Sequence, residues 1–79
     1  MSIDTMGYVI RKTYTKNGNR WTLSNVTDNP EWINRALLND LYYHYIGHSC
    51  FIRKIVTDCY TITVYYDNNV KCIYSKLEG

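Results

Sequence analysis

Three side chains of the types that ligate metals lie close together in the sequence: His44, His48 and Cys50. Zinc requires three or four convergent nitrogen, sulfur or carboxylate ligands, and a cysteine on a neighbouring strand could complete such a set. Gly47, however, is expected to end a helix between the two histidines, and the chain contains no Cys-x-x-Cys pair. The spacing therefore predicts no metal site. We expect the cysteines to be reduced and to act as small apolar residues on strands, and we predict that they are dispensable for function.

Groups that could act as general acids, bases or nucleophiles are few. Nothing in the sequence marks a cysteine as an activated nucleophile, and the glycines are isolated rather than gathered into a phosphate-binding loop. We therefore predict that the protein is not an enzyme, has no catalytic residues and needs no cofactor. The carboxylates are expected mostly at turns and helix caps, with local backbone roles; they are Asp4, Asp28, Glu31, Asp40, Asp58, Asp67 and Glu78.

Aromatic side chains are unusually frequent, with nine tyrosines and two tryptophans in 79 residues. Tyrosine and tryptophan supply large, rigid contact areas and are enriched where proteins touch other molecules. A domain of this size has too little interior to bury so many rings. The composition therefore indicates a binding protein.

The first candidate surface lies on the predicted helix, outside its apolar stripe, and would bind a protein partner, such as a larger host complex. Tryptophan, tyrosine and arginine are the residue types that dominate interface hot spots. Exposed aromatics also occur at homodimer faces, and the rings could instead cover sheet edges, so both alternatives stay open. The candidate residues are Trp32, Arg35, Asn39, Tyr42 and Tyr43.

The alternative surface is a basic, tyrosine-bearing outer face of the predicted sheet, which would bind nucleic acid. Cations neutralise phosphates while exposed rings stack on bases. The net charge of only +2 favours the protein-binding interpretation over this one. The candidate residues are Arg11, Arg20, Arg53, Lys54 and Lys71.

The elements that must position these surfaces begin with a hairpin over residues 7–26. A two-residue loop at Asn17-Gly18 predicts that Tyr14 lies opposite Trp21. Alternation then separates an apolar face from an outer face. The apolar face holds Tyr8, Ile10, Tyr14, Trp21 and Leu23, and the outer face holds Arg11, Thr13, Thr15, Thr22 and Ser24.

A single helix follows the hairpin. Asn29 is suited to cap it, Pro30 to begin it and Gly47 to end it. One broad face at helical spacing is expected to pack on the sheet. That face comprises Ile33, Leu37, Leu38, Leu41 and Tyr45.

Residues 50–77 are rich in strand-forming side chains. A loop at Asn68-Asn69 predicts that Val64 lies opposite Ile73 and Tyr65 opposite Cys72. Upstream, either a turn near Asp58 forms a hairpin or one long bent strand runs through. The element order is therefore β-β-α-β-β-β or β-β-α-β-β. Either order predicts an α+β fold, in which one helix packs on an antiparallel sheet of four to five strands, as a single domain over residues 1–79.

Targeting signals are also missing from the sequence. Residues 1–6 lack the charged and apolar regions of a secretory signal, and no apolar run approaches the roughly 18 residues of a membrane span. An odd number of irregularly spaced cysteines is typical of a reducing compartment. We therefore expect a cytoplasmic protein that does not associate with membranes.

In format the chain resembles the small inhibitor proteins that bacteriophages and prophages encode, including anti-CRISPR proteins. The likeness lies in the compact α+β domain, the tight Asn17-Gly18 hairpin, the single capped helix and the many tyrosines. It implies a protein that acts in the host cytoplasm by masking a functional surface of a defence complex. Inhibitors of this kind are often acidic. The slight positive charge of this chain favours occlusion of a protein surface over mimicry of nucleic acid.

Overall fold

Five strands and one helix make up the computed structural model, which describes residues 7–47 and 51–76. The elements are β1 (Tyr8–Asn17), β2 (Arg20–Thr27), α1 (Pro30–Tyr45), β3 (Ile52–Thr57), β4 (Thr61–Tyr66) and β5 (Val70–Lys76). The strands form one antiparallel sheet in the order β2-β1-β5-β4-β3, with α1 packed on one face. The predicted α+β class and the order β-β-α-β-β-β are therefore confirmed.

Helix α1 begins and ends where its capping residues predict. The side chain of Asn29 accepts a hydrogen bond from the backbone N–H of Trp32 at 3.1 Å, and Gly47 follows the helix with a left-handed φ of 70°. In the described part of the chain, no helix has the length and apolar character needed to cross a membrane.

The sheet-facing side of α1 is narrower than predicted. Ile33, Leu37 and Leu41 are buried at four-residue intervals, as expected. Leu38 and Tyr45 are instead 49% and 63% exposed, so their assignment to the packing face is wrong. Leu38 follows Leu37 by one residue and therefore projects roughly 100° away from the buried stripe. Tyr45 continues the four-residue repeat but is the last residue of α1, where it is exposed.

The hydrophobic core fills the space between α1 and the sheet face that it covers, here called the covered face. Half-buried apolar side chains such as Ile52 and Ile55 pack around it. No helix of the described residues covers the opposite face of the sheet, which is called the open face. The buried core residues are Tyr8, Ile33, Leu37, Leu41, Ile62, Val64, Cys72 and Tyr74.

The first hairpin turns one residue later than predicted, through Gly18 and Asn19. Trp21 therefore lies opposite Lys16, where the sequence predicts Tyr14. Gly18 has a φ of 63° while Asn19 keeps a negative φ. Such a turn, with glycine first, needs only one left-handed residue and matches the twist of the strands. This turn chemistry outweighs the pairing of the two rings.

The last hairpin differs from the prediction by one residue as well. Val64 pairs with Cys72 instead of Ile73, because the loop spans residues 67–69 rather than two asparagines. Asn69 closes this loop with a φ of 61°, a left-handed conformation that asparagine tolerates. A shift of one residue exchanges the two faces of a strand, so Cys72 lies on the covered face.

A tight turn at Asp58 separates β3 from β4, so this region is a hairpin and not one bent strand. One carboxylate oxygen of Asp58 accepts the backbone N–H groups of Tyr60 and Thr61 at 2.9 and 2.8 Å. The Thr61 hydroxyl donates to the other oxygen at 2.8 Å. These bonds, led by that from Tyr60, lower the pKa of Asp58. Cys59 is exposed in this turn, so its placement on a strand is wrong, and Cys50 lies outside the described residues.

The two faces of the first hairpin are inverted relative to the prediction. Arg11 and Thr13 pair with Tyr74 and Cys72, which are buried, so both polar residues lie on the covered face. A register shift in β1 immediately after Tyr8 lets that ring join the core as well. The strand β5 therefore decides which side of β1 faces the helix.

Candidate binding surfaces

The five predicted partner-binding residues all lie on the exposed side of α1, and they are called the outer helix surface: Trp32, Arg35, Asn39, Tyr42 and Tyr43. Tyr42 is 61% exposed, and its ring meets that of Tyr43 edge to face with centroids 5.5 Å apart. A shallow hollow of about 290 Å³ lies beside Trp32, Arg35 and Asn39. The structure thus brings the predicted residues together on one rigid element.

Exposed apolar side chains continue this surface toward the end of the helix. Leu38, Tyr42, Tyr45 and Ile46 are exposed and recur at helical spacing. The sequence reasoning missed Leu38 and Tyr45 because it assigned them to the core. The four-residue repeat of Ile33, Leu37 and Leu41 would have excluded Leu38, but it includes Tyr45, whose exposure at the last residue of α1 the spacing does not predict.

Beneath the helix, a buried carboxylate joins α1 to the sheet. The hydroxyl groups of Tyr66 and Tyr74 both donate to Oδ2 of Asp40, at 2.5 and 2.8 Å. Arg11 Nε donates to the Tyr74 hydroxyl at 3.0 Å, and its guanidinium lies 5.0 Å from the ring centroid of Trp32. Asp40 is 9% exposed, so its expected place at a turn or cap is wrong.

Helical spacing could have found this group, because Asp40 lies seven residues after Ile33 and next to Leu41. A carboxylate in that position is stable only with hydrogen-bond donors, which Tyr66 and Tyr74 supply. Its partners hold α1 in one position over the covered face. We assign the group a structural role.

Burial raises the pKa of both Tyr66 and Tyr74 well above the usual 10.0, and their hydrogen bonds to Asp40 and its charge raise them further. The unfolded chain therefore releases phenolic protons at a pH where the folded chain cannot. This contribution to stability is complete below the unfolded pKa of about 10 and is lost as the pH rises above it.

We therefore expect the free energy of unfolding to fall as the pH rises above about 10. Urea denaturation between about pH 8 and pH 11 measures this dependence. A variant carrying both Tyr66→Phe and Tyr74→Phe lacks the two phenols and should show a flatter decline. If the free energy of unfolding falls equally with pH in the two proteins, the raised pKa values of Tyr66 and Tyr74 are contradicted.

The open face carries a second cluster, in which lysines alternate with rings. We call it the open-face cluster: Tyr14, Lys16, Trp21, Lys54, Tyr65 and Lys71. Lys71 Nζ lies 4.5 Å from the ring centroid of Trp21, 5.6 Å from that of Tyr14 and 5.8 Å from that of Tyr65. Lys54 lies 4.7 Å from the Tyr65 ring, and Lys16 lies 5.8 Å from the Trp21 ring. The rings are half-buried, so the sheet fixes their positions.

A hollow of about 490 Å³ opens beside this cluster. Trp21 and Tyr65 line it, meeting edge to face with centroids 6.3 Å apart. Arg53 and Lys54 lie at the same hollow. Its lining therefore combines aromatic area with positive charge.

The predicted nucleic-acid residues divide between the two faces. Lys54 and Lys71 belong to the open-face cluster, and Arg53 lines its hollow. Arg11 lies on the covered face, so its placement on the outer face is wrong. The predicted placement of Arg20 on the outer face is also wrong. Arg20 pairs with Asn17, next to the pair of Lys16 and Trp21, and successive pairs point to opposite faces of the sheet. The pairing of β1 with β5, which joins distant parts of the chain, places the two groups on opposite faces.

No group of three or more His, Cys, Asp or Glu side chains converges on a metal-sized site within residues 7–47 and 51–76. His44 is half-buried, and its ring lies edge to face with that of Tyr45 at 5.4 Å. His48 and Cys50, the other candidate ligands, lie outside the described residues.

Comparison with protein-family models, with curated proteins and with solved structures found no match.

Proposed function

We propose that the protein is a non-enzymatic binding module that recognises another protein through the outer helix surface. The carrying observation is the set of large aromatic side chains held exposed along one side of α1, with Tyr42 at 61%. Folded monomers seldom expose contiguous apolar patches unless they serve a function. The neighbouring Leu38 and Tyr45 enlarge this patch.

Rigidity supports this choice of surface. Leu37 and Leu41 anchor α1 in the core, and Asp40 ties it to Tyr66 and Tyr74 on the sheet. Rings on a fixed helix lose little conformational entropy on binding, which favours affinity. Arg35 stands between Trp32 and Asn39 on the same hollow and adds a planar hydrogen-bond donor at its rim.

The mode of action we propose is masking, in which α1 covers a functional site of a larger partner. The resemblance in format to small phage-encoded inhibitors extends this proposal to a surface of a host defence complex, reached in the cytoplasm. The outer helix surface suits a groove lined by apolar side chains, since a helix docks into such grooves through residues at helical spacing.

Variants of the outer helix surface test this function. Tyr42→Ala and Arg35→Ala should each weaken partner binding by more than about 1 kcal/mol, because truncated hot-spot residues cost at least that much. Affinity purification from a bacterial host lysate identifies the partner, and isothermal titration then measures each variant. The melting temperature should stay nearly unchanged, since both side chains are exposed.

Tyr60→Ala is the matched control, because Tyr60 is an exposed tyrosine outside the outer helix surface. It should bind the partner as the wild type does. If Tyr42→Ala and Arg35→Ala bind as tightly as this control, the outer helix surface is not the site. A stoichiometric dimer in light scattering that these variants dissolve would make the partner a second copy of the chain.

A further inference from the structure

Charge is segregated between the elements of this protein. Within residues 7–47 and 51–76, all five acidic residues lie outside the strands, whereas eight of the nine Lys and Arg residues lie within them. Although the net charge is only +2, every charged side chain within the strands is positive. The strand cations are Arg11, Lys12, Lys16, Arg20, Arg53, Lys54, Lys71 and Lys76.

On the open face, Lys16, Lys54 and Lys71 stand beside aromatic rings. We propose that the open-face cluster is a binding site for single-stranded nucleic acid, separate from the outer helix surface. Single-strand binders combine a positively charged path for the phosphates with rings on which bases stack. Lys71 lies within 6 Å of three rings, at 4.5 Å from Trp21, 5.6 Å from Tyr14 and 5.8 Å from Tyr65.

The spacing lets one nucleotide use both kinds of contact. A base that stacks on Trp21 brings its phosphate next to Lys71 or Lys16, each within 6 Å of that ring at 4.5 and 5.8 Å. A base on Tyr65 meets Lys54 in the same way, at 4.7 Å. Cation–π contacts at a solvent-accessible surface are weak, so these lysines are free to turn toward a phosphate.

The hollow beside the cluster is large enough for a base. Its volume of about 490 Å³ lies in the range of small-ligand sites. Trp21 and Tyr65 provide its aromatic lining, while Arg53, Lys54 and Asn69 supply hydrogen-bond donors. A strand of bases could therefore run across the open face and place one base in this hollow.

Unpaired bases fit this face better than a duplex or an acidic peptide does. Stacking requires bases that are exposed, and a duplex hides their faces between neighbouring pairs. An acidic peptide would satisfy the lysines and leave the rings without planar partners. The half-buried positions of Tyr14, Trp21 and Tyr65 keep their rings on the sheet surface, where a strand of bases can reach them.

Fluorescence anisotropy with a labelled strand of about 12 deoxythymidines tests the proposal, a length that matches single-strand sites of this size. The wild type should bind the strand more tightly than a duplex of equal length, and affinity should fall steeply with salt. Trp21→Ala should weaken binding about 5- to 150-fold, as the loss of one stacked base predicts. Lys71→Gln should weaken binding and reduce the salt slope by about 0.7.

Arg20→Gln is the matched control for Lys71→Gln, because it removes the same charge from the other face of the sheet. It should bind the strand as the wild type does, and Tyr42→Ala on the outer helix surface should do so too. Circular dichroism melting verifies that each variant is folded, and Tyr65→Leu replaces Trp21→Ala if the latter unfolds.

Three results would overturn the proposal. One is the absence of binding to the single strand at tens of micromolar protein in low salt. Another is equal weakening by Arg20→Gln and Lys71→Gln, which would indicate general charge attraction. The third is full competition by a polyglutamate peptide of equal charge, which would assign the face to an acidic protein.

Discussion

Replacing Leu37 by alanine is expected to destabilise the protein by about 2–5 kcal/mol, the range for a fully buried leucine. Leu37 is completely inaccessible to solvent between α1 and the covered face. Its removal would cost the transfer free energy of the side chain and leave a cavity that a small core closes poorly. Since small domains have only about 5–15 kcal/mol in reserve, a large fraction of this variant could unfold at 37 °C.

The neighbouring leucine offers an internal control. Leu38→Ala removes the same atoms one position along the chain, where the side chain is 49% exposed. It should change the free energy of unfolding by well under half as much, because less apolar area returns to water. Urea denaturation followed by circular dichroism measures both variants. Equal losses would mean that α1 packs on the sheet through a different side.

Tyr74→Phe is expected to cost about 1–3 kcal/mol, although it removes a single oxygen atom. That hydroxyl donates to Asp40 at 2.8 Å and accepts from Arg11 at 3.0 Å. Without it, the buried carboxylate loses one of its two tyrosine donors, and a buried polar group left unpaired costs more than the bond itself contributed.

Tyr45→Phe removes the same oxygen from a side chain that is 63% exposed, so its expected effect is within about 0.5 kcal/mol of zero. Thermal and urea unfolding of the two variants provide the comparison. If Tyr74→Phe is no more destabilising than Tyr45→Phe, water satisfies Asp40 and the carboxylate does not tie α1 to the sheet.

Helical features of the fold could be predicted because they depend on neighbours in the chain. Asn29 and Gly47 bound α1 through local hydrogen bonds and backbone conformation, and the buried stripe at Ile33, Leu37 and Leu41 follows from the helical repeat. The outer helix surface could be predicted for the same reason, since it is what that stripe leaves exposed.

The faces of the sheet could not be predicted, because they depend on the register of the last turn and on the pairing of β1 with β5, which is distant in the sequence. Gly18 moves the first turn by one residue, and Asn69 adds a residue to the last. The second change exchanges the faces of a strand and sends Cys72 into the core. The open-face cluster gathers Trp21 from β2 and Lys71 from β5, so it exists only once both registers and the order of strands are known.

The order β2-β1-β5-β4-β3 has a consequence for how the protein is made in the cell. The strand at the centre of the sheet, β5, is the last of the described strands to leave the ribosome. Until it emerges, β1–β2 and β3–β4 are separate hairpins that share no hydrogen bonds, and the sites of Cys72 and Tyr74 in the core are empty. Chains that lack residues 70–76 would therefore expose two strand edges that are templates for pairing with other chains.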